Sequence, residues 1–109
     1  MATTRRRRTV AWIEAALLLG SAMLLSGCGG ALYTIKSLGA SSKLDQATEL
    51  GAAQYAPYEY YFAREHLEKA AEEASSADYG DAIDYVDLAD EYADKAIRLA
   101  REAHGSAGR

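Results

Sequence analysis

An all-α fold is predicted for this 109-residue chain by three observations. Apolar residues recur at helical spacing from residue 42 towards the C-terminus, and no stretch alternates as a half-buried strand does. Ala dominates the small apolar residues, with 18 Ala against eleven Leu, Ile or Val in residues 28–109. The single Pro, Pro57, and the run Ser75-Ser-Ala-Asp78 punctuate the pattern where helices would start and stop. The expected arrangement is a helical hairpin with a preceding helix, within the one domain that this length admits.

The first helix is expected at about 42–54. Ser42 with Asp45 three residues on has the form of a capping box. Leu44, Ala47, Gly51 and Tyr55 share one face at about 100° per residue. Gly51 weakens this helix by up to about 1 kcal/mol but permits close approach of a neighbour. Pro suits a first helical position and pushes the residue before it out of helical conformation. A second helix is therefore expected at 57–75. Tyr60, Ala63, Leu67, Ala70, Ala71 and Ala74 line one of its faces, and Glu65, Glu68, Lys69, Glu72 and Glu73 the other. Asp78 is a suitable N-cap for a third helix at 79–103, with Asp81 at its third position. The apolar positions of that helix cover about 220° of the wheel, well beyond the roughly 100° of a one-sided surface helix. It should therefore touch more than one neighbour. A short disordered tail is expected at 105–109. With so much Ala, each residue buries little area at roughly 25 cal/mol per Å². Tyr must supply much of the core.

The formal net charge of −4 divides unevenly. Residues 1–27 carry +3, from Arg5 to Arg8 against Glu14, and residues 28–109 carry −7. An acidic body argues against a nucleic-acid binder. The single Cys excludes an internal disulfide and a Cys-cluster metal site. The basic cluster, the apolar run of residues 15–25 and the small residues after it have the layout of a secretory signal peptide. That run is shorter than the about 20 apolar residues that span a bilayer. A twin-Arg export signal is the alternative, although Val10-Ala11 matches its apolar pair poorly. A short buried helix would leave Arg5 to Arg8 unexplained.

Leu25-Ser26-Gly27-Cys28 resembles the lipobox of bacterial lipoproteins and stands where that family has it. The resemblance implies diacylglycerol on the Cys28 thiol, cleavage before Cys28 and N-acylation of the new amine. These are covalent lipids, and no other cofactor is expected. A thiolate is a good nucleophile for the first step. Each buried CH₂ contributes roughly 0.8 kcal/mol, so two or more chains hold a protein stably on a membrane. Residues 1–27 would be removed, and 28–41 would form a tether, flexible or partly helical, with a reach of roughly 20 Å if flexible. In that family an Asp after the Cys favours inner-membrane retention. Gly29 stands there, which implies the periplasmic face of the outer membrane.

Ala77-Asp-Tyr79-Gly-Asp-Ala82-Ile83 resembles the second half of a tetratricopeptide repeat, and the hairpin would be one such unit. Three or more are normally needed for an array. Tyr55-Ala-Pro57-Tyr-Glu-Tyr60-Tyr-Phe-Ala63-Arg64-Glu-His-Leu67-Glu-Lys69-Ala, followed by the Ala-Asp-Tyr turn, resembles a family of small bacterial lipoproteins with a domain of unknown function. Such domains occur beside OmpA-like proteins. The resemblance implies an envelope location, a helical repeat-like fold and no transferred activity. An envelope protein partner is expected, with an OmpA-like protein as one candidate.

No catalytic constellation is legible, and the chain is expected not to be an enzyme. His66 and His104 lack a His-Glu-x-x-His pattern. The Asp series 78, 81, 84, 87, 90 and 94 winds around a helix rather than stacking. Asp84, Asp87, Glu91 and Asp94 read as a solvated face followed by bases, as the helix dipole favours. Weak divalent-cation binding is the lesser alternative, and no metal site is expected. The aromatic group Tyr55, Tyr58, Tyr61 and Phe62 either packs against the preceding segment or forms a partner-binding patch, since exposed aromatics mark contact surfaces. The expected function is a lipid-anchored structural or adaptor protein. An accessory subunit of a cell-wall remodelling enzyme and a self-associating envelope lipoprotein remain as alternatives, and the oligomeric state is left open.

Overall fold

The computed structural model describes residues 2–26 and 28–108, with side chains for 7–21 and 28–108. The chain is all-α, and no strand occurs among the described residues. Five helices follow one another: α1 (Ala2–Ser26), α2 (Cys28–Glu49), α3 (Ala52–Tyr55), α4 (Pro57–Ser75) and α5 (Tyr79–Ala107). The apolar-run residues of α1 with described side chains, Ala15 to Leu19, are exposed. Among the described residues α1 touches only α2, and its side chains from 7 to 21 are exposed. No helix is long and apolar enough to cross a membrane, among the described residues.

Helices α2, α4 and α5 form an up-down-up bundle. α2 and α5 run parallel, with Gly29 beside Tyr79 at one end and Leu50 beside His104 at the other. α4 runs antiparallel to both, joined to α5 by a three-residue turn. Ala dominates the fully buried crossings: Ala47, Ala52, Ala70, Ala82, Ala96 and Ala100 are completely enclosed. A methyl side chain lets helix axes approach closely, which is why this composition folds as a thin bundle. The buried arc of α5 runs through Ala82, Val86, Ala89, Ala93, Ala96, Ile97 and Ala100, and α2, α3 and α4 cover it together. The breadth of its apolar face is thus explained within the chain.

Two helix boundaries follow sequence chemistry directly. Pro57 opens α4 at its first turn, and Ala56 before it has φ −141° and ψ 58°, outside the helical region. At the other end Asp78 caps α5, its carboxylate accepting from the Asp81 N–H. The turn between them is a Schellman motif. The Asp78 N–H donates to Glu73 O at 3.0 Å and the Ala77 N–H to Ala74 O at 3.0 Å. Ala77 takes the left-handed position with φ 61°, where Gly is the usual residue.

Three expectations are corrected. Residues 28–41 are not a flexible tether: they are the first half of α2, with Ala40 buried. The Gly29-Gly30 pair permits this docking, because a Cβ at either position would stand 3.2 or 3.3 Å from Tyr79. The pair is where the Tyr79 ring lies against backbone. The first helix does not run from 42 to 54 either. Ser42 and Asp45 lie inside α2, and Gly51 ends the helix by adopting φ 72°, a conformation Gly enters at little cost. Finally, α5 extends to Ala107 instead of ending at 103 before a disordered tail. His104 Nε2–H donates to Leu50 O at 2.8 Å, satisfying a carbonyl that the end of α2 leaves open.

Candidate functional site

The aromatic residues that are adjacent in sequence point in different directions, because a helix turns about 100° per residue. Tyr60 enters the core and shares a hydrogen bond with Thr48 Oγ1 at 3.1 Å. Tyr61 is exposed, with the Arg64 guanidinium 5.2 Å from its ring centre. Tyr55, in α3, packs edge-on against His104 at 4.8 Å. Only Tyr58 and Phe62, four residues apart, share a face, and that face meets α5.

Along that seam the rings form a continuous row. Phe62 stacks on Tyr92 at 3.9 Å and on His66 at 3.8 Å. Tyr58 meets Tyr92 edge-on at 6.2 Å, and His66 leans on Tyr85 at 5.8 Å. The Lys95 ammonium caps the row, 4.2 Å from the Tyr92 ring centre. The bond to Glu91 raises the Lys95 pKa further above its ordinary 10.5. Tyr58 is 65% exposed, and Leu88 beside the row is exposed as well. Phe62, His66, Tyr85 and Tyr92 are half-buried. Such a row offers flat aromatic edges and one charge.

Of the four aromatic residues expected to form one patch, the structure brings together Tyr58 and Phe62 and separates Tyr55 and Tyr61. Tyr58 and Phe62 pack on Tyr92 of α5 rather than on the preceding segment. Tyr92, His66, Tyr85 and Lys95 were not among the expected residues. The symmetry of the hairpin holds the signal that finds them. Phe62 and Tyr92 each lie fifteen residues from Ala77 at the centre of the turn, so antiparallel pairing sets them face to face.

The acidic series on α5 is likewise more than a solvated face. Lys36 reaches Asp87 at 2.6 Å, and Lys43 bridges Asp90 and Asp94 at 2.7 Å each. These pairs tie α2 to α5. The partners are separated by about fifty residues in sequence, which hides them from any local reading. The bonds to Asp90 and then Asp94 raise the Lys43 pKa above its ordinary value, outweighing the lowering by burial. Glu73, Asp78 and Asp81 bring carboxylate oxygens within 4.8 Å of one another at the α4–α5 turn. Capping accounts for that grouping, since Asp78 already accepts from the Asp81 backbone. His66 Nδ1–H donates to Phe62 O at 2.9 Å. Both histidines therefore have structural partners.

Cys28 is a free, exposed thiol at the first residue of α2. Gly27 lies outside the described residues, as do the side chains of Leu25 and Ser26.

The fold and this surface define a small all-α bundle with an aromatic seam on one side. Residues 39–107, more than half of the chain, match the family model described as Domain of unknown function (DUF4398), and the chain belongs to that family. No curated protein and no solved structure matches it.

Proposed function

We propose that the chain is a lipid-anchored, non-catalytic adaptor of the bacterial envelope. Residues 1–27 act as a signal peptide, Cys28 carries diacylglycerol and an N-acyl chain, and the bundle stands at the periplasmic face of the outer membrane. The α4–α5 pair serves as a single tetratricopeptide-like hairpin whose aromatic seam recruits another envelope protein, with an OmpA-like protein as one candidate. The observation that carries this reading is the lone Cys28, exposed at the very start of the bundle and preceded by Leu25-Ser26-Gly27. The thiol has no disulfide partner to account for it, and the described α1 side chains, residues 7–21, are exposed. Exposed aromatic surface beside a charge supports the recruiting role.

Replacement Cys28→Ser tests the anchor. The variant should keep the helical content of the parent, lose labelling by an alkyne-tagged fatty acid, and leave the membrane fraction. Continued fractionation with the outer membrane would overturn the anchor. For the seam, Tyr58→Ala should abolish cross-links in cells to the envelope partner while leaving the melting curve nearly unchanged. An unaltered set of cross-linked partners would remove the seam from the proposal.

A further inference from the structure

The outward face of α2 changes character halfway along. From Cys28 it carries Ala31, Leu32, Ile35 and Leu38, then switches to Ser42, Asp45, Gln46 and Glu49. Leu32 is 47% exposed, Ile35 70% and Leu38 67%. Steps of four, three and three residues from Cys28 keep the large side chains within about 120° on one side of the helix. The opposite side of α2 is occupied by α5 and α4. No part of the chain covers the apolar half among the described residues. It ends just before residue 39, where the family match begins.

We propose that this half-face is a lipid-contacting surface that lays α2 against the bilayer to which Cys28 is anchored. The inference rests on the lipid-anchor reading and adds an orientation to it. Because residues 28–38 are helix rather than tether, Leu38 lies only about 15 Å from Cys28 at 1.5 Å per residue. An acylated Cys28 therefore holds the stripe beside the membrane. An amphipathic helix in that position settles its apolar side roughly 5–10 Å into the interface. The switch to Asp45 and Glu49 marks where the helix leaves the lipid. Three large side chains are far too few for a second copy, since a standard protein interface uses about 20–30 residues a side. The body of the chain carries −7 over residues 28–109, so contact is made through the apolar stripe and not through attraction to anionic headgroups. The seam is carried by α4 and α5, the helices that pack on the opposite side of α2, so this orientation holds them on the periplasmic side of the stripe.

The test uses the full-length gene product, purified from bacterial membranes and reconstituted into phosphatidylcholine vesicles. Ile35→Cys, Leu38→Cys and Gln46→Cys variants are nitroxide-labelled, one site at a time, an acylated Cys28 being inert to the reagent. Labels at 35 and 38 should be several-fold more accessible to oxygen, relative to a water-soluble nickel chelate, than the label at 46. Equal, nickel-dominated accessibility at all three sites would overturn the proposal. So would dipolar broadening at site 35 that persists on dilution with lipid, because it would put a second copy on the stripe. A second label appearing on Cys28, with protein that fails to float with vesicles, would instead overturn the anchor itself.

Discussion

The two ends of the bundle are built differently. At the end remote from Cys28, four helices meet. Ala47, Ala52, Ala56, Tyr60, Ala96, Ile97 and Ala100 are buried together, with Leu44, Leu50, Ala53 and Leu99 packed against them. Two polar links close this end, Thr48 with Tyr60 and His104 with Leu50. At the Cys28 end only Ala40, Ala70 and Val86 form the buried cluster, flanked by Tyr33, Leu67 and Tyr85. Val86 is the largest side chain that is fully enclosed. A bundle made of Ala gains little area per residue, so its stability concentrates where a ring and extra helices are available. The remote end is the structural anchor, and the Cys28 end is the thinner one whose outer face stays apolar.

Truncation at each end should expose the difference. Tyr60→Ala is expected to cost about 3 kcal/mol, seen as a lowered urea midpoint. Val86→Ala should cost about 2 kcal/mol. Amide exchange should then speed up mainly at residues 28–41 and 79–86. Equal losses from the two variants would erase the distinction between the ends.

A smaller effect of opposite sign is expected at the turn. Ala77 occupies a left-handed position that disfavours L side chains. Ala77→Gly should stabilise the chain by about 0.5–1 kcal/mol, raising the melting temperature. A lowered melting temperature would show that the Schellman turn does not govern the hairpin.

The smallest effect concerns Lys43, which links the two parallel helices across the middle. Lys43→Met should cost about 0.5 kcal/mol at neutral pH and less at high salt, since the group is largely solvated. The Lys43 pKa is raised on folding from its ordinary 10.5. The stabilisation is therefore fully present below pH 10.5 and is lost as pH climbs through the higher folded-state value. The gap between parent and variant in urea melts should stay constant from pH 6 to 9 and close beyond 10.5. A gap that closes near neutrality would assign it to another group.

Local chemistry made much of the fold legible. Pro57 fixes where α4 begins, and Asp78 fixes where α5 begins, because each acts on the backbone within a turn of itself. The helical period and the lack of alternation settle the all-α class. Gly29-Gly30 misled because a glycine pair reads as flexible unless the ring that packs on it is known. Gly51 misled for the opposite reason, since a helix end and a close approach leave the same letter in the chain.

What the sequence determined alone was the all-α class, the starts of α4 and α5 and the unusual lone Cys28, consequences of covalent chemistry and short-range hydrogen bonding. The tertiary structure decided the rest. It joined Lys36 and Lys43 to Asp87, Asp90 and Asp94, scattered Tyr55, Tyr60 and Tyr61, and assembled Tyr58, Phe62, His66, Tyr85 and Tyr92 into one row. These pairings depend on which helix faces lie opposite, and that follows only once Ala-lined faces close on one another. The same closure leaves Leu32, Ile35 and Leu38 outside the core, on the face that begins at Cys28.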